Sequence, residues 1–209
     1  MITKVIVLSY EAILEELREN RLPTNAIFVS ITDPEEEPVF EKETDRIITF
    51  TFHDVEPQWF KDYQPGQGKE YRWMTEDDAK KCAVFIFKYQ AAAEEYVLYT
   101  NCMAGVSRSG AVGTFAHRVA GIPYADFRAE NRTLFPNGHI LRLLMREWYK
   151  QQWAELDAAP TMEKNPEWSG HFCRVKECWR DSVRVEDCNF CNREKLEFIV
   201  SRHPDRLRK

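Results

Sequence analysis

The spacing of hydrophobic and polar positions changes repeatedly along the chain, and the changes mark out alternating strands and helices. Val5-Ile6-Val7-Leu8 is a short apolar run that predicts a strand. Residues 11–21 follow with Ile13, Leu14 and Leu17 on one helical face. Residues 26–31 predict a second strand, and the alternating, β-rich run 47–52 a third. Between these two, residues 33–45 are acidic and hold two prolines, the composition of an exposed loop. A helix is predicted over 75–92, with Thr75 as its N-cap and the acids Glu76, Asp77 and Asp78 in its first turn, where the helix dipole favours them. Residues 96–101 predict a fourth strand, and three more helices follow. In the last of them Ile140, Leu143, Leu144 and Trp148 form an apolar stripe that reads as core. The expected fold is α/β: a central, mostly parallel sheet flanked by helices over residues 1–157.

Composition narrows the function classes. The 209 residues suffice for one ordinary domain with an appendage. A formal net charge of −5 gives no case for nucleic acid or an anionic membrane as partner. No apolar run approaches the roughly 18 residues that a membrane span needs. Met1-Ile2-Thr3-Lys4 has no signal-peptide pattern, so a cytoplasmic location is expected.

Chemistry concentrates in Asn101-Cys102-Met103-Ala104-Gly105-Val106-Ser107-Arg108-Ser109-Gly110. Five residues separate Cys102 from Arg108, between a predicted strand and the small, apolar start of a predicted helix. Such a loop can close into a cup of backbone N–H groups with sulfur at its base. The orphan N–H groups and the dipole of the helix favour an anion there. The planar fork of Arg108 suits two oxygens of a phosphoryl group at once. Met103, Ala104, Gly105, Val106, Ser107 and Arg108 are therefore the candidate phosphate-binding residues, and Cys102 the candidate nucleophile of phosphoester hydrolysis through a cysteinyl-phosphate. A buried, purely structural cysteine at a strand end is the plainer alternative.

The segment from Cys102 to Gly110 resembles the signature loop of the dual-specificity phosphatases, in the superfamily of cysteine-dependent protein tyrosine phosphatases. The resemblance implies a phosphatase acting on phosphoprotein, at tyrosine and/or serine and threonine, with no metal in the chemistry. It makes Cys102 the nucleophile, Arg108 the phosphate clamp and Ser109 the hydrogen-bond donor to the departing thiolate. Leu134-Phe135-Pro136-Asn137-Gly138 similarly resembles the segment that opens the last catalytic-domain helix of that family. One departure is that Asn101 stands where the family usually has His. It removes a group that supports the thiolate and leaves open a phosphate-binding module with weak or no turnover. Sulfur transfer by a rhodanese-like loop is a third reading, opposed by the Ser107-Arg108-Ser109-Gly110 tail.

A proton donor for the leaving oxygen is also required. The family draws it from an Asp on a loop after an upstream strand. Asp54 follows the 47–52 strand and is the candidate acid, with Glu56 and Asp62 as substitutes; Asp54 as a helix cap is the alternative reading.

Residues 158–209 form a different region. After the Ala158-Ala159-Pro160 linker come Cys173 and Cys178, then Cys188 and Cys191, four of the six cysteines of the chain. Two paired hooks with this spacing match a structural zinc site of four thiolates. The region holds few aliphatic residues and would draw folding energy from the metal. Disulfides, unligated thiols and a regulatory thiol are the alternatives. Cys82 falls within the 75–92 helix and reads as a small core hydrophobe.

Overall fold

The computed structural model describes residues 1–56, 70–157, 171–173 and 178–180. The chain divides into two compact units, Met1–Trp153 and Ala154–Lys209. In the first, four strands form one sheet: β1 (Ile2–Ser9), β2 (Ala26–Thr32), β3 (Ile47–Thr51) and β4 (Tyr96–Cys102). The helices are α1 (Tyr10–Arg18), α2 (Glu76–Gln90), α3 (Arg108–Val119), α4 (Tyr124–Glu130) and α5 (Gly138–Asp157). The strand order is β1-β4-β2-β3 and every pairing is parallel.

Strands buried on both faces need apolar residues throughout rather than alternation. Every residue of β2 is buried accordingly, whereas the edge strand β3 buries only every second residue. Ile27, Val29 and Ile31 face a core shared with Ala83 and Ile86 of α2, Phe115 of α3 and Leu144 of α5. Ala26 and Phe28 face the other way, onto Ile13 of α1 and Tyr99. The sheet is thus covered on both sides, as the sequence predicts. The step from β1 to β2 and the step from β3 to β4 run in opposite directions along the sheet. Right-handed crossovers then put α1 and α2 on opposite faces. The carboxyl ends of the strands at such a divergence are where open α/β sheets hold ligands. Here those ends are Ser9, Thr32, Thr51 and Cys102.

Local signals set the helix ends. Ser9 caps α1 by accepting a hydrogen bond from the Ala12 amide at 3.1 Å. The helix stops earlier than its apolar spacing predicts. Asn20 takes a left-handed φ of 51°, and the amides of Asn20 and Arg21 turn back to the carbonyls of Leu17 and Glu16. That pair of bonds closes the helix in a Schellman turn. It leaves Leu17 38% exposed, where the sequence pattern puts it on the core face. In α2 the acids behave as expected. Thr75 Oγ1 accepts from the Asp78 amide at 3.1 Å, and Asp78 accepts from the Thr75 amide at 3.0 Å. Residues 33–45 depart from a fully exposed loop, since Val39 and Phe40 pack against the α1 side of the sheet.

Of the four candidate zinc ligands, two fall within the described residues. In the second unit β5 (His171–Cys173) and β6 (Cys178–Arg180) pair antiparallel, with Cys173 directly opposite Cys178. Cys188 and Cys191 lie outside the described residues, as does Asp62.

β1 is the outer strand on its side of the sheet, and its free edge is closed by one side chain. Asn131, at the end of α4, accepts from the Val7 amide at 2.7 Å and donates to the Val5 carbonyl at 2.9 Å. It also donates to the Phe127 carbonyl at 2.8 Å, which finishes α4. The side-chain amide substitutes for a neighbouring strand. Removing it strands buried backbone groups without partners. Asn131→Ala is expected to lower the unfolding free energy by about 1–3 kcal/mol. The measurement is urea unfolding, with a lower midpoint at unchanged slope. An unchanged midpoint would mean that these bonds contribute nothing.

Candidate active site

Cys102 ends β4, and Arg108 opens α3. The intervening loop bends sharply over the end of β1. Gly105 has φ +69°, and a Cβ there would lie 2.5 Å from the Ser9 backbone nitrogen and 2.6 Å from the Leu8 carbonyl carbon. Both obstacles are backbone, so no side-chain rotation relieves the clash, and only glycine fits.

The hydrogen bonds of the loop are one-sided. The Met103 carbonyl accepts from the Tyr10 amide, the Val106 carbonyl from Phe135, and the Ser107 carbonyl from Ala111 and Asn137. The amides of residues 103–107 donate to no other described residue. At the start of α3, Ser107 makes no side-chain cap, and Ser109 and Gly110 are buried. Among the described residues, the donors of the loop and of the helix N-terminus are therefore unspent while its acceptors are used. A helix end with free N–H groups is a place that favours an anion. The Cys102 sulfur lies at the same place, buried and 3.0 Å from Ser109 Oγ.

The Ser107 hydroxyl is diverted elsewhere. It donates to Asp54 Oδ1 at 2.8 Å. Asn137 Nδ2 donates to the same oxygen at 2.9 Å. Asp54 is exposed, and its Oδ2 bonds to no described residue. No helix begins at residues 55–56, so the described residues give Asp54 no cap role there. Asn137 in turn caps α5, its Oδ1 accepting from the amides of His139 and Ile140 at 3.0 and 3.1 Å. Glu56, the substitute acid, accepts from the Gly138 amide at 2.9 Å at the same helix end. The structure thus brings Cys102, Arg108, Ser109 and Asp54 to one edge of the sheet.

Arg108 is only 3% exposed, and two groups hold it. Its Nη1 donates to Asp33 Oδ1 at 3.0 Å and to the Phe52 carbonyl at 2.7 Å. Its Nη2 donates to Asp33 Oδ2 at 2.9 Å. Its Nε is buried and has no hydrogen-bond partner. Reasoning from sequence places Asp33 in an exposed acidic loop and misses this pairing. The available signal is its position one residue beyond β2, at the ligand-bearing edge of the sheet.

Two neighbouring residues complete the surroundings. His53 is buried; its Nδ1 accepts from the Arg72 amide at 3.1 Å and its Nε2 faces Glu35 at 3.2 Å. It braces the chain on either side of residues 57–69 and offers no free base. Asn101 is buried, and its Nδ2 has no hydrogen-bond partner. Cys82 belongs to the core, as expected. Burial first, then the nearby Asp78 charge, pushes its thiol pKa up, which holds it neutral.

No protein-family model and no curated protein matches the chain. Solved structures similar to it include the following two. Human DUSP28 is 15% identical, with a TM-score of 0.43, over 72% of this chain and 94% of that one. PTPMT1 in complex with PI(5)P is 17% identical, with a TM-score of 0.39, over 75% of this chain and 95% of that one.

Proposed function

We propose that this protein hydrolyses phosphomonoesters, those of phosphoprotein tyrosine and/or serine and threonine, through a cysteinyl-phosphate. The observation that carries this reading is the loop from Cys102 to Arg108: its amides 103–107 bond to no other described residue, the buried Cys102 sulfur lies 3.0 Å from Ser109 Oγ at the start of α3, and Nε of the buried Arg108 has no partner. In the first step the Cys102 thiolate attacks phosphorus and the bond to the leaving oxygen breaks. The amides of 103–107 and Arg108 hold the three non-bridging oxygens as charge spreads over them. Asp54 gives its proton to the leaving oxygen. Its Oδ1 is anchored by Ser107 and Asn137, which leaves Oδ2 for that transfer. In the second step water attacks phosphorus and the S–P bond breaks. Asp54 takes the proton from the water, and Ser109 donates to the departing thiolate. Phe135 stands 82% exposed beside the loop, its amide bonded to Val106. It supplies an apolar lip suited to an aromatic or peptide substrate.

A second reading is a phosphate-binding module without turnover, favoured by the neutral, unpartnered Asn101 amide next to the nucleophile. Hydrolysis of para-nitrophenyl phosphate separates the two. The wild-type protein is expected to turn over, and Cys102→Ser to abolish hydrolysis while vanadate binding survives. Unchanged hydrolysis in that variant would refute the mechanism. Asp54→Ala is expected to lower kcat by ~10² to 10⁴-fold on phenyl phosphate. The loss should be smaller on para-nitrophenyl phosphate, whose better leaving group needs less protonation. Equal rates in wild type and variant on phenyl phosphate would remove Asp54 from the role.

For residues 158–209 we propose a structural zinc ion held by Cys173, Cys178, Cys188 and Cys191. Direct opposition of Cys173 and Cys178 across β5 and β6 supports the first hook, since paired antiparallel residues have Cα atoms roughly 4.5–5.5 Å apart. A closed shell of four thiolates leaves no open position, so the ion would take no part in hydrolysis. Purified protein is expected to release one zinc per chain to a chromogenic chelator after thiol modification, and Cys188→Ser to lower that yield. Metal-free protein with four titratable thiols would oppose the proposal.

A further inference from the structure

The guanidinium of Arg108 has five N–H groups, and three of them are accounted for. Asp33 occupies the end of the fork, one carboxylate oxygen on each terminal nitrogen. The Phe52 carbonyl takes the second hydrogen of Nη1. What remains is the lateral edge made by Nε–H and the second hydrogen of Nη2. Nε on this edge is buried and unpartnered, a costly state for a charged donor. A planar fork can engage two acceptors in parallel on one edge while another edge is occupied. The two partners sit on separate strand ends. Asp33 follows the last residue of β2, and Phe52 follows the last residue of β3. Those ends are themselves joined by the bond from the Phe52 amide to the Thr32 carbonyl at 3.0 Å.

We infer that Asp33 is a positioning residue for the phosphate clamp: it grips the end of the Arg108 fork so that the Nε–Nη2 edge is fixed toward the oxyanion. The inference rests on the phosphatase reading and deepens it. Asp33 touches neither phosphorus nor the leaving group. It acts by removing the rotamer freedom of a long side chain before substrate arrives, so that binding does not have to supply that order. The pair has a second consequence. It offsets the charge of Arg108 within the site, and residues 103–107 add no charged side chain. Attraction to phosphate then comes chiefly from oriented amides and the helix end rather than from net positive charge. Such a cup suits a single phosphomonoester better than a densely charged polyphosphate.

A carboxylate on the clamp could instead act as a lock that competes with phosphate, and the two roles predict opposite signs. The experiment compares wild type, Asp33→Ala, Asp33→Asn and Asp33→Glu. It measures inhibition by inorganic phosphate, kcat and KM on para-nitrophenyl phosphate, and the rise in melting temperature that phosphate induces. If Asp33 positions the clamp, Asp33→Ala weakens phosphate inhibition and kcat/KM by about 10- to 100-fold, the scale of a misplaced binding group. It also loses the phosphate-induced rise in melting temperature. Asp33→Asn, which keeps an acceptor but meets Nη2 with a donor, falls between, and Asp33→Glu restores part of the loss. Should Asp33→Ala fail to fold, the Asn and Glu variants carry the same comparison. Phosphate inhibition that is unchanged or stronger in the substituted proteins, with wild type active, overturns the positioning role alone. A wild-type protein that neither hydrolyses the ester nor binds phosphate or vanadate overturns the phosphatase reading, and this inference falls with it.

Discussion

A protein loop that binds an anion through its backbone must keep its N–H groups from finding internal partners. Here that constraint is met by occupying the carbonyls. Met103, Val106 and Ser107 each give their oxygen to an amide from another segment or from the following helix turn, and in each planar peptide unit the opposite N–H, that of Ala104, Ser107 and Arg108, points away from those partners. Gly105 makes the bend possible because backbone of β1 fills the space a side chain would need. The loop is therefore shaped by the strand beside it as much as by its own residues.

The same economy recurs in the side chains around it. Ser107 stands at the cap position of α3 yet bonds Asp54 instead, which leaves the helix end open and fixes a carboxylate beside it. Asn137 uses its oxygen to start α5 and its nitrogen to hold that carboxylate. One residue thereby couples a helix terminus to the candidate acid. Arg108 is buried, and its two terminal nitrogens bind protein acceptors while Nε has none. Burying a guanidinium without a counter-charge is expensive, so a carboxylate partner at the end of the fork is a physical requirement of placing it there.

Much of the architecture was legible because it depends on local periodicity. The four strands and the helices of the first unit appear where the apolar spacing places them, and the acids at the start of α2 cap it. The departures have specific causes. α1 ends early because Asn20 adopts a left-handed conformation that closes the helix, and hydrophobic spacing does not register a backbone turn. Val39 and Phe40 pack onto the sheet although their neighbours are polar, because a loop beside β2 lies over the apolar face left by Phe28.

The amino-acid sequence by itself determined the strand, loop and helix that carry Cys102 and Arg108, since five uncharged residues, glycine among them, lie between β-formers and a small-residue helix. It also determined that a carboxylate, Asp54, follows a strand of the same sheet. Only the tertiary structure decided which groups face one another. Strand order sets the end of β2 beside β4 and the end of β3 beside β2, and that juxtaposition pairs Asp33 and the Phe52 carbonyl with Arg108 across 75 and 56 residues of chain. No local pattern encodes such a contact. It arises because parallel strands place all their carboxyl ends on one side, where side chains distant in sequence become neighbours.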